Sequence, residues 1–236
     1  FKIVIDNFPG HPTLIAPDFP DYAKEPHRTD HPWATALETL NRFIDDQIGD
    51  RRCVLLGYSM GGRLALQYAL KYDYLLKGLI LIGTTPGISN EEERWRRLNQ
   101  DTEMASRILN DPLETFLDSW AKQSLIQIQE QIAEPYRTNM RKLRLQHNRE
   151  ALAYFLIALG TGSMESAWHR LEELILPTLL ITGEEDLKFT EIANKMSLLL
   201  PDSRFETIAN AGHAACFEQP LKMARLLDLF LKELED

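Results

Sequence analysis

The 236-residue chain is 44% hydrophobic and 26% charged, ordinary for a globular protein and long enough for one large α/β domain or one domain with an insertion. Its formal net charge is −9, from 26 basic and 35 acidic side chains. That argues against nucleic acid or an anionic membrane as the main partner, while leaving room for a local basic pocket that takes a small anion.

Phe1, Val4, Ile5 and Phe8 recur at helical spacing, and Pro9-Gly10-His11-Pro12 ends that segment. Thr13-Leu14-Ile15-Ala16 reads as a short buried strand that stops at Pro17-Asp18, with a loop over 18–22. His31-Pro32-Trp33 opens a helix that runs to about Gln47-Ile48, with Leu37, Leu40, Ile44 and Ile48 on one face. After the Gly49-Asp50 turn come a strand from Cys53 to Leu56, a helix from Arg63 to about Lys71, and a strand from Leu79 to Gly83. Past Thr84-Thr85-Pro86-Gly87 the period changes. From about Asn90 to about Leu171 only helical patterns appear, broken at Pro112 and Pro135 and followed by a Gly160–Ser163 loop. The strand–helix rhythm then resumes. A strand covers Pro177–Thr182, a helix runs from Glu191 to about Leu200, a strand covers Arg204–Ile208, and an amphipathic helix starts near Pro220. This pattern predicts a mostly parallel sheet with helices on both faces. The core is residues 1–87 and 172–236, and 88–171 is a helical cap insertion.

Between the strand ending near Leu56 and the helix after it lies Gly57-Tyr58-Ser59-Met60-Gly61-Gly62-Arg63. A Gly-x-Ser-x-Gly run in that context predicts a sharp, strained turn that lifts the Ser59 hydroxyl toward a helix N-terminus, with Gly57 and Gly61 letting strand and helix pass close together. Asp186 follows the strand ending at Thr182, and His213 follows the one ending near Ile208. In open α/β sheets ligands bind at those carboxyl ends. The chain order Ser59, Asp186, His213 is that of an α/β-hydrolase triad, in which a neutral imidazole takes the serine proton and a carboxylate fixes the imidazole. Glu184 and Glu185 compete with Asp186 for the acidic role. The other histidines (His11, His27, His31, His147, His169) lack metal-ligand spacing, so no metal is expected. Cys53 and Cys216 read as buried free thiols. The opening residues carry no basic-then-apolar leader and no apolar run is long enough to cross a bilayer, so a reducing, cytoplasmic setting is expected.

At these residues the chain resembles the α/β-hydrolase superfamily over nearly its whole length. More closely, it resembles the MenH family, the 2-succinyl-6-hydroxy-2,4-cyclohexadiene-1-carboxylate synthases of menaquinone and phylloquinone biosynthesis. The resemblance rests on Gly57–Arg63, Thr84-Thr85-Pro86-Gly87, Glu92-Glu93-Arg94 leading to Arg97, Phe116–Trp120, Leu143-Arg144 with Asn148, Gly160-Thr161-Gly162, Gly183–Phe189 and Ala211-Gly212-His213. It implies a lyase that eliminates pyruvate from 2-succinyl-5-enolpyruvyl-6-hydroxy-3-cyclohexene-1-carboxylate, with the serine as a base and no cofactor. It also implies that Arg63, Arg97 and Arg144 grip carboxylates of a small polycarboxylate substrate, that Trp120 and Tyr58 line the pocket, and that the Met60 amide is one oxyanion donor. The superfamily places two strands and a His-Gly loop, source of a second oxyanion amide, before the first helix seen here. No such segment precedes Phe1, so a truncated or incompletely described chain is expected. A serine hydrolase of small esters or carbon–carbon bonds, with Ser59 as nucleophile, and a non-catalytic binding protein are the alternatives. Oligomeric state stays open.

Overall fold

A computed structural model of the chain describes residues 2–9, 12–18 and 24–235, without the side chains of residues 124, 125, 128 and 131. Among the described residues four strands form one parallel sheet: β1 (Cys53–Tyr58), β2 (Leu76–Ile82), β3 (Thr178–Gly183) and β4 (Ser203–Ile208), paired in that order. The register sets Tyr58 opposite Ile82, Leu81 opposite Leu180 and Gly183 opposite Ile208. The strands' carboxyl ends therefore lie side by side.

The alternation of side chains along a strand sorts the apolar residues into two cores. Leu79, Leu81 and Leu180 face one side, with Leu37, Leu40 and Ile44 of α2 (Pro32–Ile48), Leu66 and Tyr68 of α3 (Met60–Tyr72), and Met196 of α9 (Leu187–Ser197). Ile80, Ile82, Leu179 and Ile181 face the other. There they meet Val4 of α1 (Lys2–Ile5), Cys216 of α10 (Ala215–Glu218) and Met223, Leu227 and Phe230 of α11 (Pro220–Glu233). Every residue of β3 is buried, whereas most of β1, at the sheet edge, is half-buried.

Between β2 and β3 the regular structure among the described residues is helical, joined by loops. The helices are α4 (Glu91–Asn110), α5 (Leu113–Ala121), α6 (Ser124–Gln127), α7 (Tyr136–Leu145) and α8 (Arg149–Ala158). Asn90 caps α4 by accepting from Glu93 N at 2.9 Å, and Asn148 caps α8 by accepting from Ala151 N at 2.9 Å. Helix α4 packs along α8, and Ala105, Ile108, Phe116, Leu117 and Ala153 form a separate small core there. A second contact joins this segment to the sheet's helices: Leu159 packs with Ala36 and Leu64.

The segment Thr13–Ala16 is not a strand. It is irregular and exposed, with Leu14 48% and Ile15 46% accessible. No neighbouring strand among the described residues takes its N–H and C=O groups, and an unpaired extended segment has no ladder to hold it. Of the loop expected over 18–22, only Asp18 lies within the described residues. Two helices start earlier than their apolar pattern indicates. Helix α3 begins at Met60, directly after Ser59, and α9 begins at Leu187 because Asp186 caps it. No helix among the described residues is long and apolar enough to cross a membrane.

Candidate active site

Ser59 sits between the end of β1 and the start of α3 with φ 51° and ψ −108°, a left-handed conformation that costs a non-glycine residue about 1–3 kcal/mol. Its N–H donates to Ile82 O at 2.8 Å, and its carbonyl accepts from Thr84 Oγ1 at 2.9 Å. Both ends of the turn are thus tied to the neighbouring strand and the loop beyond it. The close approach falls on Gly57, as the motif suggests, but on Gly62 in place of Gly61. A Cβ on Gly57 would lie 2.3 Å from Gly61 O, and one on Gly62 would lie 2.6 Å from Thr84 Cβ. A Cβ on Gly61 would meet nothing within 4 Å, so Gly62, not Gly61, is the second residue the packing requires. Met60 is the first residue of α3, so its N–H is one of the amides at the helix N-terminus, where negative charge is favoured.

His213 Nε2 lies 3.0 Å from Ser59 Oγ, and His213 Nδ1 lies 2.7 Å from Asp186 Oδ2. A carboxylate has no proton to give, so Nδ1 donates to Asp186 and Nε2 is left to accept from the serine. Asp186 and His213 are 5% and 6% exposed, whereas Glu184 and Glu185 are exposed on the same loop. Of these three carboxylates, only Asp186 is buried and in contact with the histidine. The histidine loop is packed from several sides. Gly83 has φ 53°, and a Cβ there would be 3.1 Å from His213 Cε1. The rings of Phe189 and Tyr58 lie 4.6 Å and 5.5 Å from the imidazole. Glu218 accepts from Gly212 N at 2.5 Å and Ala214 N at 3.1 Å, one amide on each side of His213. Burial pushes the Glu218 carboxyl up, while these two amides pull it down.

Tyr58 and Arg144 connect this centre to the helical segment. Burial raises the Tyr58 phenol well above its ordinary value, so it stays protonated, and the nearby Arg144 charge opposes that rise. The Arg144 guanidinium lies 4.8 Å above the Trp120 ring and donates from Nη2 to Gln129 Oε1 at 2.8 Å. Burial lowers the Arg144 pKa, so a negative partner is favoured there. Trp120, Gln129 and Arg144, with Leu117, Ile126 and Arg141, line a cavity of about 220 Å³.

Arg63 and Arg97 make different hydrogen bonds from those of Arg144. Arg63, in the first turn of α3, donates from Nη2 to Leu159 O at 3.0 Å. Arg97 on α4 donates from Nε to Asp101 Oδ1 at 2.9 Å. The structure therefore brings Ser59, His213 and Asp186 into one hydrogen-bonded line, sets Tyr58 against the histidine, and stacks Arg144 on Trp120. The sequence pattern did not single out Asp101, Gln129 or Glu218, and it gave no role to Thr84 or Phe189, which lie in motifs that carry the resemblance. Asp101 carried a readable signal, since it shares one helical face with Ala105 and Ile108 and stands four residues after Arg97. The others are found only through tertiary contacts.

Three comparisons bear on this arrangement. The family profile of the α/β-hydrolase fold matches residues 1–220. A Bacillus subtilis protein, provisionally named as a 2-succinyl-6-hydroxy-2,4-cyclohexadiene-1-carboxylate synthase, is 41% identical over 188 residues, covering 80% of this chain and 69% of its own. A Photorhabdus laumondii protein of the same name is 30% identical over 225 residues, covering 94% of this chain and 76% of its own. Among solved structures, MenH from S. aureus superimposes with a TM-score of 0.85 at 33% identity, covering 90% of this chain and 80% of that one.

Proposed function

This chain belongs to the 2-succinyl-6-hydroxy-2,4-cyclohexadiene-1-carboxylate synthase family of the α/β-hydrolase fold, and on that premise we propose that it is the lyase that forms that product by eliminating pyruvate. The substrate is 2-succinyl-5-enolpyruvyl-6-hydroxy-3-cyclohexene-1-carboxylate, an intermediate of menaquinone or phylloquinone synthesis. The observation that carries the reading is Ser59 Oγ within 3.0 Å of a histidine whose other nitrogen is held by a buried aspartate, in a chain with this family's sequence.

The chemistry follows from the two names. The ring alkene of the substrate is C3–C4, and the product diene is C2–C3 and C4–C5. A base must take the C2 proton, beside the succinyl carbonyl, and the enolpyruvyl oxygen must leave C5. Ser59 Oγ takes the C2 proton as its own proton passes to His213 Nε2, which Asp186 stabilises as it becomes charged. The C–H electron pair becomes the C2–C3 bond, the old alkene pair moves to C4–C5, and the C5–O bond breaks. The departing enolate collects a proton and tautomerises to pyruvate. Charge that builds on the succinyl carbonyl oxygen is met by the Met60 N–H at the N-terminus of α3. No acyl-enzyme forms.

Arg63, Arg97 and Arg144 bind the substrate's carboxylates, as planar, permanently charged forks do. Tyr58 and Trp120 form walls of the same site. Residues 88–171 act as a cap over a core of 1–87 and 172–236. The free thiols of Cys53 and Cys216 suit a reducing, cytoplasmic setting.

The test is a product assay. Purified protein with the enolpyruvyl substrate, coupled to lactate dehydrogenase, is expected to oxidise NADH as pyruvate appears, and Ser59→Ala is expected to abolish the signal. Turnover of simple esters without pyruvate release makes the protein a hydrolase instead. Neither activity, in folded protein, makes it a binding protein.

A further inference from the structure

We infer that Asp101 is the positioning residue that sets Arg63 and Arg97 as a pair for one substrate carboxylate, an inference that rests on the lyase reading for the identity of that substrate. Asp101 lies on the inner face of α4 with Ala105 and Ile108, and its side chain is only 3% exposed. Burial, the larger effect, leaves its carboxyl raised above the ordinary value, and the charge and hydrogen bond of Arg97, with the charge of Arg63, oppose that rise. A carboxylate is kept at such a position only when paired cations offset its lost hydration. One of the two cations belongs to the elbow helix and the other to the helical segment between β2 and β3. This single side chain therefore couples the two parts of the molecule.

The local geometry fits that role. Oδ1 accepts from Arg97 Nε at 2.9 Å, while Oδ2 is buried with no hydrogen-bond partner among the described residues. A Cβ on Gly160 would lie 2.7 Å from that Oδ2, so the glycine makes room for the carboxylate. The preceding residue, Leu159, accepts from Arg63 Nη2. Asp101 and Arg63 thus meet at one turn, residues 159–160. Because Arg97 engages Asp101 through Nε, its Nη groups make no hydrogen bond to the described residues. Arg97, bonded to the Asp101 carboxylate, and Arg63, bonded to the adjoining turn, together carry with that carboxylate one net positive charge, which one substrate carboxylate balances. Asp101 fixes the Arg97 rotamer, so less conformational freedom is lost when that carboxylate binds. Without it, Arg63 and Arg97 repel each other, and Arg97, with 36% of its side chain accessible, turns toward water.

The experiment compares wild type with Asp101→Asn, Arg97→Ala and the double variant. Folding is checked by Tm, and the triad by the rate at which a small neutral fluorophosphonate labels Ser59. Two readouts follow: KM for pyruvate release, and the succinate concentration that protects Ser59 from the label. For Asp101→Asn the expected result is an unchanged labelling rate with KM and the protecting concentration both raised about ten-fold, the loss of one charge-assisted hydrogen bond. The double variant is expected to match Arg97→Ala instead of adding to it. A folded Asp101→Asn protein with wild-type KM and protection overturns the proposal, as do additive effects. A wild-type protein that succinate does not protect overturns it too. Protection that Asp101→Asn weakens, in a wild-type protein releasing no pyruvate, sustains the positioning role and fails the lyase reading alone.

Discussion

Asp186 serves His213 with one oxygen and helix α9 with the other. Oδ2 lies 2.7 Å from His213 Nδ1, and Oδ1 caps the helix by accepting from Phe189 N. The two duties separate by substitution. Asparagine is a good N-cap but a poor partner for Nδ1–H, because its amide cannot hold the imidazole in the tautomer the serine needs. Asp186→Asn is expected to lower pyruvate release by about 10³–10⁴ with little change in Tm. Asp186→Ala is expected to lose the same activity and, in addition, about 1 kcal/mol of stability from the missing cap. Steady-state rates and thermal melts of the two variants check this.

Gly61 and Gly62 look alike in the motif and behave differently in the fold. A methyl on Gly62 would press on Thr84, whose hydroxyl also holds the Ser59 carbonyl. Gly62→Ala is expected to cost about 1–3 kcal/mol, as overpacking does, and to disturb the elbow. Gly61→Ala places its methyl in open space. It is expected to change stability by less than about 1 kcal/mol. Urea denaturation of the two variants separates them.

The Arg144–Trp120 stack predicts a binding defect, not a chemical one. A cation over an indole contributes about 0.5–2 kcal/mol, so Trp120→Ala is expected to raise KM by about 2- to 30-fold with kcat little altered. Arg144→Lys keeps the charge and loses both the planar stack and the geometry of the Gln129 bond. It is expected to resemble Trp120→Ala rather than wild type. A kcat that falls with unchanged KM contradicts this role.

Half-buried His147 predicts a pH effect on stability. Burial first, and the Arg144 charge second, lower its pKa below the usual 6.5. As pH falls through 6.5 the unfolded chain takes up this proton before the folded chain does. The stability tied to the neutral ring is therefore full above that pH and is lost as pH falls toward the depressed value. Melting wild type and His147→Gln at pH 7.5 and pH 5 is expected to show a smaller acid-side loss in the variant. Equal losses contradict the assignment.

What the sequence makes legible is what local pattern controls. The alternation of apolar runs with helical periods marks all four strands of the sheet, and the position of Ser59, Asp186 and His213 just past strand ends marks their meeting point. Which of Glu184, Glu185 and Asp186 is buried beside the histidine is a matter of tertiary structure, and it is Asp186. Long-range packing is not legible in this way. Thr13–Ala16 has a strand's composition but no partner strand among the described residues. Gly62 is needed because Thr84, 22 positions later, packs against it. Glu218 holds the His213 loop through backbone amides, which no side-chain pattern records. Asp101 lies between the two cases. Its charge on an apolar helical stripe is visible in the sequence, but its nearness to Arg63 is a fact of tertiary structure.

In the proposed mechanism Ser59 removes a proton and never carries the substrate. A single-turnover experiment reads this directly: enzyme in excess of the enolpyruvyl substrate is quenched at intervals, and pyruvate and the intact-protein mass are measured in the same samples. Proton abstraction by Ser59 gives one pyruvate per substrate, unmodified protein mass at every time point, and no pyruvate from Ser59→Ala. A mass increase that maps to Ser59 and rises and decays with turnover, or pyruvate release that survives Ser59→Ala at the wild-type rate, would contradict it.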